Sequence, residues 1–129
     1  MKRCILVVDD DRDIQALLQE LLESEAYEVD IANDGLIALE KLAQQRERYE
    51  VILLDLTMPR MNGLHLIQVL RQQEEAWLRK IIVVSGNQDA MQQATQLGIR
   101  SCLAKPFDLE TLLELVSSCY CSHSEESSV

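Results

Sequence analysis

Hydrophobic residues follow two alternating rhythms along this chain. CILVV (4–8), VILLDL (51–56) and IIVVS (81–85) are short, nearly continuous apolar runs, as in strands buried on both faces. YEVDIA (27–32) and RSCLA (100–104) are weaker, and the first reads as an edge strand. Between these runs the period becomes helical. Ile14, Leu17, Leu18, Leu21 and Leu22 form one stripe, and Leu36, Leu39, Leu42 and Ala43 a second that runs out into QQRERYE (44–50). Leu66, Ile67, Val69 and Leu70 mark a third helix, with Trp77 capping the core beyond it. AMQQATQLG (90–98) predicts a weak, polar helix stopped by Gly98, and Leu109, Leu112, Leu113 and Val116 give the last one. MPRMNG (58–63), GNQD (86–89) and KPFD (105–108) are turns.

Strands alternating with helices imply a parallel sheet covered on both faces. The expectation is one five-stranded, doubly wound α/β domain over residues 1–120, followed by a disordered polar tail at 121–129. Right-handed crossovers bring the carboxyl end of every strand to one edge, where ligands bind in open sheets.

The polar residues gather at that edge. The first strand ends at Asp9 and Asp10, the third at Asp55, the fourth at Ser85 and the fifth at Lys105, before Pro106. Asp9, Asp10 and Asp11 are consecutive, and such a cluster is costly unless a positive charge offsets it. Carboxylates without a chelating His or Cys suit a hard divalent ion, Mg²⁺ (or Mn²⁺), held by oxygen. Beside that ion Asp55 is a candidate nucleophile for a phosphoryl group, with Lys105 and Ser85 as partners for its oxygens. Asp11 and Asp13 fit the acidic first turn of a helix.

Charge and composition narrow the partners. The net charge of -10 argues against gripping nucleic acid through phosphates. No run approaches the ~20 apolar residues of a bilayer span, and the N-terminus lacks a signal-peptide pattern, so a cytoplasmic, membrane-free protein is expected. Cys4, Cys102, Cys119 and Cys121 lack CxxC spacing, and Cys119, Cys121 and His123 make at most a weak metal motif at a helix end.

VVDD (7–10), LLDLTMPRMNG (53–63), VVSG (83–86) and AKPF (104–107) resemble, in order and spacing, the four signatures of response-regulator receiver domains, the phosphoacceptor modules of two-component signalling. The resemblance covers residues 3–120 and implies a flavodoxin-like sheet of order 2-1-3-4-5. It makes Asp55 the phosphorylated residue, Asp10 the principal metal carboxylate and Asp9 its companion, with the backbone carbonyl of Thr57 completing the protein's share of the metal shell. Ser85 becomes the switch hydroxyl and Lys105 the phosphate-pairing lysine, ahead of a cis bond to Pro106. Asn87 and Thr57 occupy positions that tune hydrolysis of the acyl phosphate. The implied donor is a sensor histidine kinase or a histidine phosphotransfer protein, docking on the first helix. The output is a downstream protein target or an effector domain absent from this chain, reached through the fourth helix, fifth strand and fifth helix.

One departure stands out. Many receivers carry Tyr or Phe three residues before the lysine, where this chain has Cys102, so the usual aromatic readout is missing. Three other readings compete. An EF-hand loop from Asp9 fails because its sixth position, which needs Gly, is Ile14. An aspartyl-nucleophile phosphatase of the haloacid dehalogenase type wants Asp where Thr57 stands. A receiver-like module that only docks partners would not need the set Asp10, Asp55, Ser85 and Lys105.

Overall fold

The computed structural model describes residues 4–56 and 62–127, with side chains to Cys119. Strands β1 (Cys4–Val8), β2 (Glu28–Ala32), β3 (Tyr49–Asp55), β4 (Ile81–Ser85) and β5 (Ser101–Ala104) alternate with helices α1 (Arg12–Ser24), α2 (Gly35–Gln44), α3 (Gly63–Gln73), α4 (Gln88–Gln96) and α5 (Leu109–Ser127). The strands form one sheet, all parallel, in the order β2-β1-β3-β4-β5.

Alternate residues of the strands feed two cores, because successive side chains point to opposite faces. Leu6, Val8, Ile52, Leu54 and Val83 meet Ala38 and Leu42 of α2, Leu66, Ile67 and Leu70 of α3 and Ala94 of α4. Ile5, Val7, Val51, Leu53, Ile82 and Val84 meet Leu18 and Leu22 of α1 and Leu112, Val116 and Cys119 of α5. The central strands are therefore buried on both sides, which is why they are apolar throughout.

The helices start at the carboxyl edge of the sheet and are capped there. Asp11, Asp34, Asn62 and Asn87 accept hydrogen bonds from the first-turn amides of α1, α2, α3 and α4. Gly98 ends the α4 region at φ 111°, a left-handed conformation that an L side chain rarely adopts. Gly63 is needed for close approach: a Cβ there would lie 2.6 Å from the carbonyl oxygen of Asp55 and 2.7 Å from Cα of Leu56.

Near the start of β3 a second polar cluster ties the sheet together. Asp30 accepts from Tyr49 Oη at 2.7 Å and from Arg48 Nε at 3.0 Å. The Arg48 hydrogen bond, opposed by burial, holds Asp30 below the usual carboxylate range. Burial, then the hydrogen bond to Asp30, pushes the Tyr49 phenol up. Burial, then the Asp30 charge, raises the Cys4 thiol to about 11.

Three local expectations are corrected, and the place of Trp77 is made more specific. Tyr49 and Glu50 start β3 rather than ending a helical segment, because Tyr49 pairs with Cys4 of β1. Trp77 caps the core as expected, from a 3-10 helix, Glu75–Lys80, and the charged groups of Arg46 and Lys80 sit 5.5 and 5.2 Å from its ring centroid. Leu17 is 43% exposed, and the buried stripe of α1 is Gln15, Leu18 and Leu22. The backbone of α5 stays helical to Ser127, past the expected end at residue 120, with no Gly or Pro to stop it.

Candidate functional site

The carboxyl edge gathers the acid that the strands deliver. Asp9, Asp10 and Asp55 each offer a carboxylate oxygen within 4.8 Å of the others. Asp9 and Asp55 are buried and Asp10 is exposed, so the group opens to solvent on one side. Lys105 enters from the end of β5, its Nζ 3.5 Å from Asp9 and 3.7 Å from Asp55. Among the described residues, these three carboxylates face the single ammonium of Lys105, a negative excess. A site of this charge attracts a cation strongly in a partly buried setting.

Local chemistry fixes each contributor. Asp9 is held through its amide by Ala32 O at 3.1 Å, and its Oδ1 accepts from the amide of Asp11 at 2.9 Å. Asp11 caps α1, accepting from the amides of Asp13 and Ile14. Asp55 ends β3, and its register partner on β4 is Val84, the residue before Ser85. Ser85 is buried and its Oγ accepts from the amide of Asn87 at 3.0 Å. The amide of Lys105 donates to Ser85 O at 2.9 Å, which ties the lysine to the end of β4. The Lys105–Pro106 peptide bond is cis.

The remaining expected residues fall as follows. Asn87 caps α4, accepting from Ala90 N at 3.0 Å. Cys102 sits half-buried on β5 and packs on the α4 side, its Sγ 3.8 Å from Thr95 Oγ1. Thr57, with its carbonyl, lies outside the described residues, as does most of the MPRMNG turn. Cys119 donates to Arg79 O at 3.1 Å, and burial raises its thiol to about 11; the side chains of Cys121 and His123 lie outside the described residues.

The sequence carrying this site matches a known family. The sequence profile of the response regulator receiver domain matches residues 5–117. The chain belongs to the response-regulator receiver family. Among its relatives, sporulation initiation phosphotransferase F of Bacillus subtilis is 33% identical over 116 residues, covering 90% of this chain and 92% of that protein. The CpxR homolog of Haemophilus influenzae, a transcriptional regulatory protein, is 34% identical over 88% of this chain but 48% of its own length. The chain thus spans about half the length of the first of these regulators it matches. A signal receiver domain from Bermanella marisrubri superposes with a TM-score of 0.82 at 38% identity, covering 92% of this chain and 98% of that one. A CheY-like receiver domain from Methanospirillum hungatei gives 0.86 at 27% identity, over 98% and 99%. The receiver fold and its strand order are those the sequence predicts.

One polar residue of this region was hidden from sequence reasoning. Gln15 is buried on α1, and its Nε2 donates to Asp9 O at 2.5 Å and to Asn33 Oδ1 at 2.8 Å. Its signal was its spacing: Gln15, Leu18 and Leu22 share one helix face, so a polar side chain lies on the buried stripe.

Proposed function

We propose that this receiver domain accepts a phosphoryl group on Asp55 from a phosphohistidine and thereby switches its binding to a partner. The observation that carries this reading is the convergence of Asp9, Asp10 and Asp55 around Lys105 at one sheet edge. In the transfer an Asp55 carboxylate oxygen forms the new bond to phosphorus while the bond from phosphorus to the donor nitrogen breaks. The imidazole leaves with that electron pair and takes up a proton. The chain's contribution is positioning and charge neutralisation, which is most of what this chemistry asks of a protein.

The donor set fits a hard divalent cation: three carboxylates within reach of one ion and no nitrogen or sulfur ligand among them. Asp9, Asp10 and Asp55 would hold Mg²⁺ (or Mn²⁺), with the Thr57 carbonyl as a further ligand by resemblance. Bound there, the ion supplies positive charge to the phosphoryl oxygens and offsets the acid cluster. Lys105, already shared between two carboxylates, exchanges one of them for a phosphoryl oxygen. Ser85 donates its hydroxyl hydrogen to another oxygen while still accepting from the amide of Asn87. That new bond pulls on the β4–α4 connection. Cys102 and Thr95 lie where α4 meets β5, so the change reaches the output face without an aromatic ring.

Exposed leucines suit docking of a donor around the pocket. Leu17, Leu36 and Leu109 lie in the first two turns of helices that begin at this edge, and are 43%, 42% and 37% exposed. The donor is a sensor histidine kinase or histidine phosphotransfer protein, and the target a protein or a linked effector domain. No described helix is long and apolar enough to cross a membrane, and these partners place the domain in the cytoplasm. On this reading the domain catalyses only its own phosphorylation and dephosphorylation.

Incubation with acetyl phosphate and Mg²⁺, read by intact mass, tests the proposal. Wild type should gain one phosphoryl group, and Asp55→Asn none. Uptake that survives the substitution moves the acceptor elsewhere.

A further inference from the structure

Gln15 is a buried amide that no step of the phosphoryl transfer uses. It is 8% exposed on the inner face of α1, in a position its helix would otherwise fill with an apolar side chain. Burying an amide is costly unless its hydrogens find acceptors, and here the acceptors lie on two different loops. One is the carbonyl of Asp9 at 2.5 Å, just past β1; the other is Asn33 Oδ1 at 2.8 Å, just past β2. The amide thus joins the β1–α1 turn to the β2–α2 turn.

The bond to Asp9 O matters because that carbonyl belongs to the peptide linking Asp9 to Asp10. The other anchors of this turn hold Asp9 itself: its amide donates to Ala32 O, and its side chain accepts from Asp11 N and lies 3.5 Å from Lys105. Asp10 is exposed, and its position follows from the orientation of the peptide before it. A carbonyl clamped by Gln15 fixes that orientation. Without the clamp the peptide can rotate and carry the Asp10 carboxylate out of reach of Asp55.

We infer that Gln15, with Asn33 as its second anchor, is a positioning residue that presets Asp10 for the divalent cation. The inference rests on the metal-dependent reading above. It deepens that reading by assigning cation affinity to a side chain that never touches the ion. Hydrogen bonds that orient metal ligands commonly govern affinity in this way.

The test measures Mn²⁺ binding by calorimetry on the unphosphorylated protein, with urea unfolding in parallel. Gln15→Leu keeps much of the bulk and loses both donors, and its Mn²⁺ dissociation constant should rise about 10-fold. Asn33→Ala, an exposed change with little risk to folding, removes one anchor and should raise it ~3-fold. Leu22→Ala is the control, since Leu22 is buried in the same helix away from the acid; it should lower stability and leave Mn²⁺ binding unchanged. Self-phosphorylation of Gln15→Leu by acetyl phosphate should recover as Mg²⁺ is raised, because the maximal rate depends on Asp55 and Lys105.

If Gln15→Leu and Asn33→Ala bind Mn²⁺ as wild type does, the inference is overturned. It is overturned equally if Leu22→Ala weakens binding as much as Gln15→Leu, since the effect then follows stability alone. Failure of the wild type itself to bind Mn²⁺ or take up phosphate would instead remove the proposed function.

Discussion

Two aspartates of the same sheet, Asp30 and Asp55, are furnished in opposite ways. Asp30 receives a phenol at 2.7 Å and a guanidinium nitrogen at 3.0 Å, with a second guanidinium nitrogen at 3.5 Å. At the other cluster one ammonium spans two carboxylates at 3.5 and 3.7 Å, with Asp10 close by. The first group matches each acceptor to a near donor. Among the described residues, the second sets three carboxylates against that one lysine. A matched cluster contributes to folding and leaves little for a ligand, whereas an unbalanced one stabilises the fold poorly and binds what completes it.

Exchanging the damage should separate the two most sharply. Asp55→Asn should abolish phosphate uptake in the mass assay yet leave the unfolding free energy within about 1 kcal/mol of wild type. Asp30→Ala strands the buried Tyr49 hydroxyl and should cost about 2 kcal/mol in urea unfolding while uptake persists. Equal loss of both properties in both variants would erase the contrast.

Cation linkage comes next. Mg²⁺ at 100 times its dissociation constant should stabilise wild type and Asp30→Ala by about 2.7 kcal/mol, read as a shift in the urea midpoint. Asp10→Asn should lose most of that shift.

A smaller effect follows from acidity. Asp30 titrates below the usual carboxylate value of 3.8, so its contribution is fully present above that value. It fades as pH falls through the lowered folded value, where the folded state at last takes up the proton. The stability gap between wild type and Asp30→Asn should therefore narrow on acidification and stay flat near neutrality. A gap that widened in acid would contradict the assignment.

The mildest difference is in thiol labelling. In a Cys121→Ser background, half-buried Cys102 should react first with a disulfide reagent. Cys4 and Cys119, whose thiols burial raises to about 11, should wait for unfolding.

The readable parts of the sequence were those where one physical demand acts alone. Strands covered on both faces must be apolar, so β1, β3 and β4 announced themselves, and polar residues at their ends marked the edge carrying Asp9, Asp55 and Ser85. Where two demands compete, the pattern misleads. Leu17 continues the leucine stripe of α1, but the face of that helix is set by a buried Gln15 with distant partners, which periodicity cannot see. Tyr49 is flanked by charge and resembles the end of a helix until its pairing with Cys4 is known. The 3-10 turn around Trp77 is too short to have a detectable period, and one of the two cations over its ring, Arg46, is distant in sequence. The spacing of the acid cluster was legible as convergence, but its coordination through Asn33 and Gln15 belongs to tertiary contact.

The contact of Gly63 has a mechanical consequence. Its amide donates to Leu56 O at 3.0 Å, and even a methyl group on its Cα would overlap the peptide of Asp55. The head of α3 thus meets the chain at the end of β3 through the backbone of Asp55 and Leu56, with the Leu56 side chain alongside. On the proposed reading, formation of the acyl phosphate on Asp55 would pass any displacement of that peptide to the head of α3.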